Sequence, residues 1–203
     1  MQAARGASLN PSDADHPPAG RARPGGQRAR SLTVFAVVAV LGYALDLGTK
    51  ILAVDRLTGR PPVRVVGDVL RLDLARNPGA AFSTGTSYTL VLSLVAIAAA
   101  VGVLWVARRL GSVGWAVALG FLLAGILGNL TDRVFRTPGF LQGHVVDFLR
   151  LPHWPIFNVA DMCINVAAAL IVVQAVRGIA VSGVVESPGD ASSEGPDARE
   201  GTP

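Results

Sequence analysis

The chain has 203 residues, 51% of them hydrophobic and only 16% charged, with a formal net charge of +4. A soluble domain ordinarily carries about 25% charged residues, so the deficit points to a chain solvated partly by lipid. Its basic residues are all arginine except Lys50 and are scattered along the chain, which argues against a nucleic-acid surface and fits the flanks of a multi-pass membrane protein. The one cysteine, Cys163, excludes an internal disulfide.

In chain order, residues 1–30 are rich in Pro, Gly, Ala and Arg without an apolar period and read as a disordered tail. They are no secretory leader, because the apolar run that follows starts too late and is as long as a full span. Residues 31–181 form the membrane domain, and the polar, acidic residues 182–203 form a second disordered tail. Four apolar segments lie between the tails, at about 31–54, 88–107, 115–130 and 157–176. Each approaches the roughly 20 residues that a helix needs to cross a bilayer. Four spans put both termini on one side. Lysine and arginine divide almost evenly between the two sides, so the positive-inside rule leaves the orientation open. The dense second loop (Arg108, Arg109) and the Arg-rich leader lean toward cytoplasmic termini.

The first loop carries a second signal. Leu70 to Arg76 alternates apolar and mostly polar residues, Val63, Val65 and Val69 precede it, and Gly67-Asp68 supplies a turn. That is the period of a half-buried strand, so a small β-element is expected at about 60–80, on the membrane surface. The third loop, at about 134–156, holds Pro, Gly, His and aromatics and also reads as structured.

Charge inside an apolar segment costs at least a few kcal/mol, so such residues pair, face a cavity or do chemistry. Here they converge. Asp46 and Lys50 lie four apart near the end of the first span; Asn129, Asp132 and Arg133 end the third; Asn158 and Asp161 open the fourth; Asp147 lies in the loop before it. Alternating spans bring all of these to one membrane face, together with the loop stretch Arg76-Asn77-Pro78-Gly79-Ala80-Ala81-Phe82. The opposite face has nothing comparable, as a single surface site requires.

Elimination narrows the chemistry. A metal trio of His144, Asp147 and His153 lacks any helical spacing that would preorganise it. Cys163 is followed by apolar residues inside a span and reads as a small buried hydrophobe. Ser83, Ser87 and Ser93 have no general base in a recognisable arrangement. A surplus of carboxylates remains, and two carboxylates sharing a proton can activate water and protonate a leaving amine.

Five stretches then match one family in order: Asp46-Leu-Gly-Thr-Lys50, Arg76 to Phe82, Gly125-Ile-Leu-Gly-Asn-Leu-Thr-Asp-Arg133, His144-Val-Val-Asp147-Phe148 and Phe157-Asn-Val-Ala-Asp161. The chain resembles lipoprotein signal peptidase, the bacterial signal peptidase II. The resemblance implies an all-α membrane protein with four transmembrane helices and a small extracytoplasmic β-cradle. It also implies residence in the bacterial plasma membrane, both termini in the cytoplasm and the site at the outer face. The activity implied is that of an aspartyl endopeptidase acting on prolipoproteins, cutting just before a cysteine that carries diacylglycerol, and inhibited by globomycin. Asp147 and Asp161 match the family's catalytic pair. No metal, nucleotide or other cofactor is implied, and the partners are prolipoprotein substrates and membrane lipids. One departure is Ala124 before Gly125, where the family commonly has two glycines; the added methyl would tighten helix packing.

The supporting residues each carry two readings. Asn158 orients Asp161 or a substrate carbonyl, or simply caps the fourth helix. Asn129 and Arg133 contact the substrate or support the dyad, or Arg133 pairs with Asp132 at a helix end. Asp46 and Lys50 form an interfacial ion pair that steadies the first span, or contact substrate. Asn77 sits in a tight loop beside the substrate, Phe82 is core or lipid-facing, and Trp154 belongs to an interfacial belt. A proton-coupled transporter would spread its acids across the bilayer depth, and an assembly subunit would use them only to knit helices together.

Overall fold

The computed structural model describes residues 24–79 and 85–184. Four helices and three strands follow in the order α1 (Pro24–Leu57), β1 (Val63–Val66), β2 (Leu70–Asn77), α2 (Gly85–Ala107), α3 (Val113–Phe135), β3 (Val145–Arg150) and α4 (Val159–Val176). All four helices are long and apolar enough to cross a membrane. Large side chains such as Leu41, Val95, Val101 and Val172 are exposed around the outside, as expected where lipid rather than water is the solvent.

The first helix is described from Pro24 onward, so residues 24–30, read as tail from their composition, are helical. With 34 residues α1 is about 50 Å long and outruns the hydrocarbon core. Its polar first turns are held by tertiary bonds that composition does not reveal. Gln27 Nε2 and Ser31 Oγ each donate to the Gly111 carbonyl at 3.2 Å, and Arg28 Nη2 donates to the Arg108 carbonyl at 2.9 Å. The readings made on residues 1–23, Ala80, Ala81, Phe82 and 185–203 lie outside the described residues.

Helix α3 is the centre of the bundle and packs against α1 and α4. Ala116, Gly120, Ala124 and Gly128 recur at every fourth position and are all buried. In lipid, helices associate through close backbone approach, which small residues permit. A Cβ built on Gly128 would stand 2.4 Å from Asp46 Oδ2 and 3.1 Å from Ala160 Cβ. The methyl of Ala124 is matched across the interface by Gly42, where an added Cβ would come within 2.8 Å of it. The departure from the family pattern is thus accommodated by a glycine on α1.

The strands form one antiparallel sheet in the order β1-β2-β3. The first two strands and their turn at Gly67 fall inside the expected β-element. The third strand is supplied by the third loop, which the sequence marks only as structured. Beneath the sheet, Val146 and Phe148 pack with Ala53 and Leu57 of α1 into a small core. A larger core of Phe35, Val103, Leu110, Leu119 and Leu123 fills the other end of the bundle.

Substituting Gly128→Ala should lower the thermal unfolding midpoint by several degrees, since overpacking costs about 1–3 kcal/mol. Gly26→Ala, whose Cβ meets nothing within 4 Å, serves as the control in the same melting experiment. Equal behaviour of the two variants would contradict the close α1–α3–α4 contact.

Candidate active site

Asp147 stands on β3, and its position follows from strand register. Ala75 pairs with Asp147 and Asn77 pairs with Val145. Side chains two apart share a sheet face, so Asn77 lies diagonally beside Asp147. Its Nδ2 donates to Asp147 Oδ2 at 2.9 Å. The Asn77 amide is itself oriented, because its Oδ1 accepts the Gly79 N–H at 2.8 Å. Gly79 has φ of +95°, a conformation open to glycine, and an added Cβ would strike Leu92 at 2.5 Å.

Asp161 stands at the third position of α4. Asn158 is the N-cap: its Oδ1 accepts the Asp161 N–H at 2.9 Å, while Asp161 Oδ2 accepts the Asn158 N–H at 3.1 Å. This reciprocal box starts the helix. The cap does more than end a helix, because Asn158 Nδ2 also donates to Asp147 Oδ1 at 2.6 Å and to Asn129 Oδ1 at 3.1 Å. One fully buried residue therefore holds both carboxylates, Asp147 by its side-chain amide and Asp161 by its backbone N–H. Asn129 completes the ring, donating from Nδ2 to Asp161 Oδ1 at 2.9 Å.

Behind the ring lies Lys50, fully buried. Its ammonium donates to Asn129 Oδ1 at 3.0 Å and pairs with Asp46 at 2.8 Å and Asp132 at 3.0 Å. Asp46 Oδ1 accepts the Ala160 N–H at 2.8 Å, and Asp132 Oδ2 accepts the Val146 N–H at 3.1 Å. Asp132 also pairs with Arg136. Asp46 and Lys50 thus form an ion pair buried inside the protein. Of the two readings of Arg133, the pair with Asp132 does not form. Arg133 lies within electrostatic reach of Asp161 and Asp147, and its buried Nε has no hydrogen-bond partner among the described residues.

The structure brings Asp147, Asp161, Asn77, Asn129, Asn158, Asp46 and Lys50 into one hydrogen-bonded cluster, with Arg133 beside it. Asp132 belongs to it too, as the carboxylate that ties Lys50 to β3; its place at the end of an apolar segment, in the stretch shared with Asn129, was the available signal. His144, Asp147 and His153 form no metal-holding group among the described residues. Ser93 is buried and bonded to the Thr89 and Leu141 carbonyls, and Cys163 is buried. An open cavity of about 560 Å³ faces the cluster. Asp147, Asp161 and Asn165 supply polar groups to its wall, and Trp154, Phe157 and Met162 supply apolar ones.

Burial raises the Asp147 carboxyl from its ordinary 3.8 to about 6, and the nearby Asp161 charge adds to the rise; the amides of Asn77 and Asn158 oppose it. A raised carboxyl binds its proton more tightly in the folded state. Its contribution to stability is therefore full below about pH 4 and is lost as pH rises through about 6.

A membrane-spanning four-helix bundle with two carboxylates sunk at one face is the architecture of a polytopic membrane protein with an acid-lined site. It resembles a solved structure described as a bacterial membrane enzyme, with a TM-score of 0.64 and 26% identity over 70% of this chain and 92% of that one. A family profile described as signal peptidase (SPase) II matches residues 38–177, and the chain belongs to that family. Lipoprotein signal peptidase of Mycobacterium avium is 48% identical over 79% of this chain and 88% of its own length. The Streptomyces coelicolor protein of the same name is 45% identical over 77% of this chain and 76% of its own. The chain is accordingly a multi-pass membrane peptidase of the family that removes signal peptides from prolipoproteins.

Infrared difference spectra across pH 4–8 should show a protonated carboxyl band that disappears with a midpoint near 6 and is absent in Asp147→Asn. A band unchanged in that variant would assign the raised carboxyl elsewhere.

Proposed function

We propose that the protein is an aspartyl endopeptidase in which Asp147 and Asp161 cut the signal peptide from a diacylglyceryl-modified prolipoprotein, just before the lipidated cysteine. The observation that carries this reading is the single buried Asn158, whose amide and backbone N–H hold both carboxylates at the mouth of the cavity. Two acids kept together in a partly dry site share a proton, which is what water activation and leaving-group protonation require.

The roles follow from the surroundings. Asp161 takes a backbone N–H at the N-terminus of α4, where the helix dipole favours negative charge; it is the base that removes a proton from water. Asp147, on the sheet and raised by burial, holds the shared proton, and a substrate that covers the cavity expels more water and strengthens that hold. Water adds to the scissile carbonyl, and Asp147 protonates the departing amine as the C–N bond breaks. Asn77, Asn129 and Asn158 hold the pair in place, while Arg133, with a buried Nε left unpartnered, is available to the substrate backbone. Lys50 and Asp46 act behind them as supports.

The cavity suits such a substrate, because apolar side chains adjoin the acids and its α4 wall carries the exposed Met162 and Val166. The lipid-anchored chain reaches it by lateral diffusion. The mature part of a prolipoprotein lies on the side to which it is exported, so the sheet end faces outward, and four spans then leave both termini in the cytoplasm of a bacterial plasma membrane. Globomycin-type inhibitors would occupy the same cavity.

Asp147→Asn and Asp161→Asn should each give inserted, folded protein whose cleavage of a diacylglyceryl prolipoprotein falls by about 10^2–10^4-fold. Wild-type turnover in either variant, read by gel shift, would sink the assignment. Asn158→Ser keeps a capping oxygen but removes the amide donors to Asp147 and Asn129. Its melting midpoint should stay within a few degrees of wild type while turnover drops by at least about tenfold. A purely capping asparagine would leave turnover intact.

A further inference from the structure

At the end of the bundle opposite the carboxylates, a cavity of about 340 Å³ is lined by Gln27, Arg28, Arg108, Arg109, Gly111 and Ser182. Three guanidiniums converge there without a counter-charge. No carboxylate pairs with any of them among the described residues, and every described aspartate lies toward the sheet end of the molecule. Two of the three are positioned by contacts. Arg28 is tied to the Arg108 carbonyl at 2.9 Å, and the Arg109 guanidinium lies 4.9 Å above the Trp105 ring. The N-termini of α1 and α3 meet at the same place, and the N-cap of α3, Ser112, makes no side-chain capping bond. The C-termini of α2 and α4 reach the same end and oppose those two dipoles, so the charge of the cavity is set by its three guanidiniums.

What lies beside this cavity identifies the anion. Trp105, Leu104 and Val101 on α2 are all more than half exposed, forming an apolar wall that begins where the basic cavity stops. A basic pocket at a span end with a lipid-facing wall below it matches a molecule that is anionic at one end and hydrocarbon along its length. We propose that this cavity binds the phosphate of an anionic phospholipid, with its acyl chains lying along α2. Arg28 and Arg108 would grip the phosphate, and Arg109, held over Trp105, would close the headgroup's outer side. Because Arg28 belongs to α1 and Arg108 to the α2–α3 connection, the bound lipid would also fasten the first helix to the rest of the bundle.

The test uses the full chain purified in neutral detergent. Phosphatidylglycerol, phosphatidylcholine or inorganic phosphate is added, and binding is read by native mass spectrometry and by the melting midpoint. Phosphatidylglycerol should be retained and should raise the midpoint, and the other two should do neither. Replacing Arg28, Arg108 and Arg109 by glutamine should weaken phosphatidylglycerol binding by about fivefold per arginine. Prolipoprotein cleavage in neutral detergent, far from these residues, should stay within about twofold of wild type and so report that the variant is folded. The triple lysine variant should retain most of the binding. Equal lipid binding by the glutamine variant would overturn the proposal. So would an equal effect of inorganic phosphate, which would make the cavity a free-anion site, or no lipid binding by wild type, which would leave the cavity to the chain's own acidic residues after Val184.

Discussion

A single buried cation organises this molecule. Lys50 is out of reach of solvent, and an ammonium in that position is tolerable only with its charge matched and its three protons bonded. Asp46, Asp132 and Asn129 do so. Each of these partners reaches onward: Asp46 to the first turn of α4, Asp132 to the backbone of β3, and Asn129 to Asp161. Three helices and the sheet are therefore fixed around one nitrogen. Removing one member of such a group strands a buried charge and costs about 3–5 kcal/mol. In the proposed mechanism the cation acts at a distance. By fixing the oxygen of Asn129 toward itself, Lys50 turns the amide nitrogen toward Asp161, so the side chain that holds the fold together also sets the hydrogen bonding of the dyad.

This arrangement requires short distances, and the small residues of α3 supply them. Gly128 lets α1 bring Asp46 against the start of α4. A larger residue there would separate the helices at the depth where the ion cluster must close. Packing and chemistry thus meet at the same level of the bundle, whereas the other end is closed by a larger apolar core of Phe35, Leu119 and Leu123. The polar groups cluster where the helices approach the sheet, and there each finds a partner from another element.

The sequence carried much of this. Apolar length placed all four spans, with bounds that differ by at most seven residues, and the alternation from Leu70 to Arg76 placed β2. The convergence of Asp46, Lys50, Asn129, Asn158 and Asp161 on one face followed from counting spans. What stayed hidden depends on pairing between distant segments. Residues 24–30 are polar and aperiodic, and their helix is stabilised by the carbonyls of Arg108 and Gly111. β3 is too short and too acidic at its centre to announce itself without β2 beside it. Arg133 next to Asp132 suggested a local pair, but neighbours in sequence point to different sides of a helix. Asp132 turns to Lys50 and Arg136 instead. The double role of Asn158 was likewise visible only as two open readings, because a cap is local and a bridge to β3 is not.

The order of the sheet has a consequence for how the protein comes into being. β2 belongs to the loop between the first two spans and β3 to the loop between the last two, and Asn77 and Asp147 meet only when those strands pair. Both loops must already lie on the same side of the bilayer. A chain with only its first hairpin inserted holds β1 and β2 but neither aspartate, and one with only the second lacks β2 and the Asn77 amide on Asp147. Proteolytic competence, on the mechanism proposed, is then a property of completed insertion, and a partly inserted copy is harmless to its neighbours in the membrane.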